Sequence, residues 1–196
     1  FNTPIICVGN IYLGGTGKTP FSIFLAEELL KLKRDPVILR KFYKNHVDEY
    51  EQIKNRSLKL IINKNRLNGI EEAESMGCKT IILDDGLQDY KIKKDLEIVC
   101  FNNNQLIGNG LILPSGPLRE NLSALKNKDI IVINGDKNFK FEERILQINK
   151  NLGIFYFQYK PMNLRSFEDK NLLAIAGIAN PENFFKLLKE NKLNVQ

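Results

Sequence analysis

The chain has 196 residues, a net charge of +6 at neutral pH, three cysteines and a single histidine. That length suffices for one sizeable core, or for one domain with a small appendage. No apolar run approaches the roughly 18 residues that span a bilayer, and the first residues lack the basic, apolar and small-residue order of a secretory signal. Cys7, Cys78 and Cys100 form no CxxC pair, so they are expected to be buried free thiols in a reducing compartment. One histidine excludes a zinc site built on imidazoles. The positive charge suits nucleic acid, an anionic membrane surface or phosphorylated substrates. Its lysines are scattered, with no long basic block and no aromatic-interleaved face, so a nucleic-acid-binding module rests on charge alone.

Short apolar runs alternate with longer helical patterns, which predicts parallel strands joined by crossover helices. Strands are expected at 4–8 (PIICV), 36–39 (PVIL), 58–62 (LKLII), 80–83 (TIIL), 96–101 (LEIVCF), 129–133 (DIIVI), 154–159 and 172–178. Helices are expected from Lys18 to about Leu32, on the spacing of Phe21, Phe24, Leu25, Leu29 and Leu32, then at 66–76, 140–150 and 181–188. A loop-rich stretch with several glycines and prolines occupies 102–122, and 192–196 reads as a strand just starting. The chain begins with Phe1, directly before a strand, and stops in mid-architecture. A fragment of a longer protein is therefore expected, one that binds nucleotide better than it turns over.

The segment VGNIYLGGTGKTPF (8–21) places a glycine-rich turn between a strand and a helix that opens with Lys18-Thr19. Glycines let successive backbone N–H groups face one anion, and the helix N-terminus adds its partial positive charge. In that context Lys18 is expected to reach the β- and γ-phosphates of a nucleotide, and the Thr19 hydroxyl to sit on Mg²⁺. The blander alternative is a strand-to-helix turn with an exposed lysine. The strict GxxxxGK[ST] pattern is broken at Tyr12, where a GGxGKT variant stands instead. That variant occurs in partitioning ATPases, metal-insertion GTPases and some small-molecule kinases, so the loop supports nucleotide binding and leaves the reaction open. A P-loop site also needs an acid at the end of a neighbouring strand, and TIILDDG (80–86) supplies Asp84 and Asp85. A capped turn at Gly86 is the alternative there.

The combination of VGNIYLGGTGKTP, TIILDDGLQDY (80–90), ILPSGPLRE (112–120) and IAGIANPENFF (175–185) resembles the tetraacyldisaccharide 4′-kinase family, the lipid A 4′-kinases of Gram-negative bacteria. The resemblance covers nearly the whole chain. It implies an α/β, P-loop NTPase-like three-layer fold with a mostly parallel central sheet: a kinase core over 1–134 and a smaller, incomplete C-terminal α/β portion over 135–196. It implies ATP- and Mg²⁺-dependent transfer of the γ-phosphoryl to the 4′-hydroxyl of a lipid disaccharide 1-phosphate. The protein would sit peripherally on the cytoplasmic face of the inner membrane, against an anionic surface, with neither nucleic acid nor an obligate protein partner.

Residue by residue, Tyr12, Leu13, Gly14, Gly15, Thr16, Gly17, Lys18 and Thr19 match the family's nucleotide loop. Asp84 and Asp85 match its acidic pair. The family's Gly-Asp-Glu-Pro segment, whose aspartate is the candidate base, is replaced here by His46–Tyr50 (HVDEY). Asp48 then becomes the base candidate and Glu49 a possible metal ligand, with a solvated turn as the alternative. Arg119 would stabilise phosphate charge and Glu120 would help hold the metal, with a structural salt bridge as the alternative. The implied catalytic set is Lys18, Asp48 and Arg119; the implied metal set is Thr19, Glu49, Asp84, Asp85 and Glu120.

The chain also departs from the family. Its DDGLQH motif ends here in Asp89, its SRGY loop appears as Arg40-Lys-Phe-Tyr43, and its N-terminal helix and late Asp-His pair are expected outside these residues. A P-loop switch protein of the partitioning or metal-insertion type is the competing reading. Leu13, standing where many such proteins carry a lysine, argues against it. So does the lack of a guanine-reading motif, since 63–66 (NKNR) has no aspartate.

Overall fold

The computed structural model describes residues 1–44, 47–160, 164–167, 169–177 and 181–195. They separate into two compact units, Phe1–Phe157 and Gln158–Gln196.

The first unit is built on seven strands: β1 (Ile5–Gly9), β2 (Pro36–Lys41), β3 (Lys59–Asn63), β4 (Thr80–Asp84), β5 (Leu96–Asn102), β6 (Ile130–Asn134) and β7 (Gly153–Phe157). They form one sheet in the order β3-β2-β4-β1-β5-β6-β7, and every pairing is parallel. Parallel strands need crossovers. These are supplied by α1 (Lys18–Lys31), α2 (Val47–Lys54), α3 (Arg66–Ser75) and α4 (Phe139–Leu146), and by loops.

Alternation along the strands divides the core into two layers. Cys7, Leu39, Ile81, Leu83, Val99, Phe101 and Ile131 face one side, where Ile70 and Ala73 of α3 and Phe141 and Ile145 of α4 cover them. Val8, Ile38, Ile82, Ile98, Cys100 and Val132 face the other, under Ile23 and Ala26 of α1 and Ile53 of α2. Burying each such aliphatic side chain contributes about 1.5–3 kcal/mol, and both faces are covered, so the strands read as continuous apolar runs rather than as alternating ones.

Several expectations are corrected. The domain boundary expected after residue 134 falls after Phe157, because β7 joins the sheet beside β6 and α4 buries Phe141 and Ile145 in its core. In α1 the buried stripe is Thr19, Ser22, Ile23 and Ala26, while Phe24 and Leu32 are exposed. The polar first turn is drawn inward by a carboxylate described below, which rotates the helix away from its most apolar residues. The helix α2 and a 3₁₀ turn at Leu122–Asn127 were not anticipated.

In the second unit the helix α5 (Pro181–Glu190) forms as expected, with the Phe184 and Phe185 rings 5.6 Å apart. The strand expected over 172–178 is only an isolated bridge, Leu172 to Val195; residues 173–177 have no regular structure and Ile178 lies outside the described residues. The starting strand expected at 192–196 reduces to that same bridge, with Gln196 outside the description. Among the described residues of either unit, no helix is long and apolar enough to cross a membrane.

Candidate active site

The chain leaves β1 for β2 on one side of the sheet and leaves the adjacent β4 for β5 on the other, so the carboxyl ends of β1 and β4 lie at a topological switch point, where open parallel sheets place ligands. The glycine loop follows β1 there. Gly14 and Gly17 adopt φ of +129° and +86°, left-handed values that a side chain would resist. The buried Asn10 frames the turn: its Nδ2 donates to the Thr16 hydroxyl (2.9 Å) and to the Gly14 carbonyl (3.3 Å). Gly17 caps α1 without a side-chain bond, and no acidic residue occupies the first turn. The first N–H groups of α1 are thus left for an anion.

A second segment lies along this loop. The Leu13 N–H donates to the Pro117 carbonyl (2.7 Å) and the Arg119 N–H to the Ile11 carbonyl (2.8 Å). Tyr12 bridges Leu118 in antiparallel fashion. This pairing carries Arg119, a hundred residues downstream of Lys18, to the same place as the lysine.

The two adjacent aspartates diverge. Asp84 ends β4 and is 1% exposed. It accepts hydrogen bonds from the hydroxyls of Thr19 (3.1 Å) and Ser22 (3.2 Å), and Arg40 Nε lies 3.3 Å away. Burial pushes its pKa above the usual carboxylate range; Arg40 and Lys18 oppose that shift without overcoming it. Asp85 turns the other way, with its Oδ1 3.5 Å from Lys18 Nζ and 3.0 Å from Arg119 Nη1. Burial raises its pKa too, but Lys18, Arg119 and Arg66 together hold it below the ordinary value.

Of the sequence-predicted residues, the loop 12–19, Asp84, Asp85 and Arg119 come together. Glu49 does not join the carboxylates: it pairs with Arg40, which links it to Asp84 through the guanidinium. Glu120 instead accepts hydrogen bonds from Gln88 Nε2 (2.5 Å) and the Tyr90 hydroxyl (2.8 Å). Among the described residues no group of three or more His, Cys, Asp or Glu side chains is placed to hold a metal ion, so the five-membered metal set is not a single cage. A hard cation taking one or two carboxylates plus phosphate oxygens does fit the Thr19 hydroxyl and the Asp84 carboxylate beside it. Asp48 is exposed on the first turn of α2, a helix rather than a solvated turn, and His46 lies outside the described residues.

Sequence reasoning missed Asn10, Ser22, Arg66 and Gln88 and gave Arg40 no role in the site. Arg40 had a signal: a charged residue closing an apolar strand, two strands away from the glycine loop. Ser22 had one as well, since it follows Thr19 by three positions on the same helical face.

A family model described as tetraacyldisaccharide-1-P 4′-kinase matches residues 1–57 and 52–196. The chain is 46% identical over 193 residues to the tetraacyldisaccharide 4′-kinase of Pelagibacter ubique (strain HTCC1062), covering 97% of this chain and 61% of that protein. It is 34% identical over 212 residues to the enzyme of the same name from Haemophilus influenzae (strain 86-028NP), covering 98% of this chain and 62% of the relative. The chain therefore spans about three-fifths of the length of these relatives. Among solved structures, the "apo" form of LpxK from Aquifex aeolicus in complex with ATP aligns over all of this chain and 70% of its own, with a TM-score of 0.72 and 23% identity. The hydrogenase maturation factor HypB from Archaeoglobus fulgidus aligns with a TM-score of 0.56 at 15% identity, over 96% of this chain and 90% of its own. These two likenesses concern the fold.

Proposed function

The chain belongs to the tetraacyldisaccharide-1-P 4′-kinase family, and on that premise we propose that the protein of which it forms part transfers the γ-phosphoryl of ATP to the 4′-hydroxyl of a tetraacyldisaccharide 1-phosphate. The observation that carries this reading is the meeting of Lys18, Asp85 and Arg119 at the head of α1, beside the Thr19–Asp84 pair. Two cations, the half-buried Asp85 carboxylate and the buried Asp84 carboxylate thus surround the place where the phosphate loop would hold a nucleotide.

Phosphoryl transfer asks the protein for positioning and charge neutralisation more than for covalent work. Backbone N–H groups of residues 14, 15 and 17–19 bind phosphate oxygens, while that of Thr16 donates to the Gly14 carbonyl (3.1 Å). Lys18 and Arg119, held through Asp85 before substrate arrives, stabilise charge on the phosphoryl group. Thr19 and Asp84 would hold Mg²⁺, which when bound supplies charge neutralisation across the phosphate oxygens. Asp48 accepts the proton of the sugar hydroxyl; its place on a short helix beyond β2 supports this reading by leaving it open to an incoming substrate. The lipid substrate and the +6 charge favour peripheral contact with an anionic leaflet on the cytoplasmic face of the inner membrane, where each basic residue near the surface contributes about 1 kcal/mol.

The test is transfer of labelled γ-phosphate from Mg·ATP to a tetraacyldisaccharide 1-phosphate, resolved by thin-layer chromatography, with ATP binding measured on the same sample. A phosphorylated lipid is expected from the full-length protein. ATP hydrolysis without lipid phosphorylation in that longer chain would overturn the kinase reading in favour of a nucleotide switch.

A further inference from the structure

Asp85 is a non-glycine residue with φ of +58°, in the left-handed region that side chains rarely adopt. That turn of the main chain separates the two aspartates: Asp84 stays in the strand, directed at Thr19, Ser22 and Arg40, while Asp85 is delivered to Lys18 and Arg119. Such a conformation persists only where the surroundings over-determine it.

Both main-chain groups of Asp85 are held. Its N–H donates to the Val8 carbonyl (2.8 Å), and its carbonyl accepts from Arg66 Nη2 at 2.5 Å. Arg66 opens α3, a helix capped by Asn65, whose side chain accepts the Leu67 N–H at 2.9 Å. The arginine is 8% exposed, and a buried guanidinium needs a carboxylate nearby. Asp89 supplies it, with Oδ2 3.5 Å from Arg66 Nη1. The position of Asp89 is itself fixed, because its N–H donates to the Gly86 carbonyl (3.1 Å) and its carbonyl accepts from Lys94 Nζ (2.6 Å).

We propose that Arg66 and Asp89 form a positioning pair that holds the Asp85 main chain in its left-handed turn and so presents the Asp85 carboxylate to Lys18 and Arg119. Neither residue touches the nucleotide; both act through Asp85. The inference rests on the nucleotide-binding part of the proposed function and on no feature of the lipid acceptor.

The experiment is a double-mutant cycle on Mg·ATP affinity, combining Asp89→Asn or Arg66→Lys with Asp85→Asn, with hydrogen exchange of the 84–88 segment measured on each variant. The milder Asp89→Asn keeps the test informative should Arg66→Lys fail to fold. Asp89→Asn and Arg66→Lys are each expected to weaken Mg·ATP binding about 10-fold, the low end of what loss of an outer-shell partner costs, and to speed exchange at the Asp85 amide more than at the amides of the neighbouring strands. Neither change should weaken binding further once Asp85 is Asn. Unchanged affinity in Asp89→Asn, or effects that add fully to that of Asp85→Asn, would overturn the pair. The two readings fail separately. Lipid phosphorylation with additive effects removes this inference alone, whereas a non-additive cycle without lipid phosphorylation by the full-length protein removes the kinase alone. Absence of Mg·ATP binding in the unaltered protein would overturn both.

Discussion

The Thr19 hydroxyl donates to Asp84 Oδ2 at 3.1 Å, joining the first turn of α1 to the end of β4 across 65 residues of sequence. Thr19 and Asp84 are both buried, and Ser22 and Arg40 complete the ring around the carboxylate. Four polar side chains are thereby placed inside an otherwise apolar layer, beneath the spot where the glycine loop would hold phosphates. The electrostatics of this arrangement carry consequences for stability.

Burial holds the pKa of Asp84 above its ordinary value despite Arg40 and Lys18. A carboxyl group whose folded pKa exceeds its unfolded one contributes stability below the unfolded pKa, and that contribution is lost as pH rises through the folded pKa. Above the unfolded pKa, neutral pH included, Asp84 therefore weighs against the fold. Asp84→Asn is expected to melt at or above the temperature of the unaltered protein in metal-free buffer, yet to gain nothing when Mg²⁺ and ATP are added. Phosphoryl transfer should fall by about 100-fold or more, on the scale of losing one preorganised electrostatic group. Thermal melts with and without Mg·ATP check this; a melting temperature well below that of the unaltered protein would show that Asp84 stabilises the empty fold.

Asp85 carries the opposite sign. Burial raises its pKa, but Lys18, Arg119 and Arg66 hold it below the usual value. Its contribution is present above the unfolded pKa of about 3.9 and is lost as pH falls through the folded value. Asp85→Asn is expected to lower the melting temperature at pH 7, and the gap from the unaltered protein should narrow once pH drops below about 4. Melting curves from pH 7 to pH 3 test it; a gap that stays constant would mean that charge at Asp85 is not what stabilises the turn.

Much of this was legible in the sequence. The strand-loop-helix order around GGTGKT, the apolar run ending in Asp84-Asp85 and the alternation that fixes an α/β sheet all act over short distances, where period and glycine chemistry leave their mark. What was hidden depends on tertiary contact. The antiparallel pairing of residues 11–13 with 117–119 sets Arg119 on Asp85, and the resemblance gave the arginine a charge-stabilising role without showing how it arrives there. Glu120, the next residue, lies in a bend and is held instead by Gln88 and Tyr90. Glu49 was drawn away by Arg40, whose place at the end of an apolar strand marks it for burial without showing which carboxylates it would meet. The rotation of α1 had the same origin: a periodicity count weighs Phe24 above Ser22, while the buried Asp84 selects Ser22.

Lys18 and Asp48 should separate binding from turnover. Lys18 lies 3.5 Å from Asp85 and opens α1, so Lys18→Ala removes a charge stabiliser and is expected to cost about 2.7–4 kcal/mol in the transition state. Asp48, exposed on α2, makes no part of the phosphate loop. Asp48→Asn should therefore slow transfer while leaving ATP affinity within about twofold, as expected for a group acting only in the transition state. Steady-state kinetics of the full-length protein, paired with ATP titrations, distinguish the two. Normal turnover in Asp48→Asn would remove it as the base and return the role to another carboxylate.

The cysteines give a prediction that is independent of any substrate. Cys7, Cys78 and Cys100 are free and buried. Burial pushes the Cys7 thiol up to about 12 and raises Cys78 and Cys100 as well. The thiolate is the reactive form, so at pH 8 each group is both inaccessible and protonated. Cys7 and Cys100 lie on neighbouring strands in opposite layers of the core, and exposing either requires the sheet to open. In the folded protein none of the three is expected to react with a chromogenic disulfide within minutes at pH 8, whereas all three should react in denaturant. Since Cys7 and Cys100 depend on global opening, their labelling rates should fall together as stabilising ligand is added. Rapid labelling of either one in the native protein would contradict the packing of β1 against β5 on which the placement of the glycine loop depends.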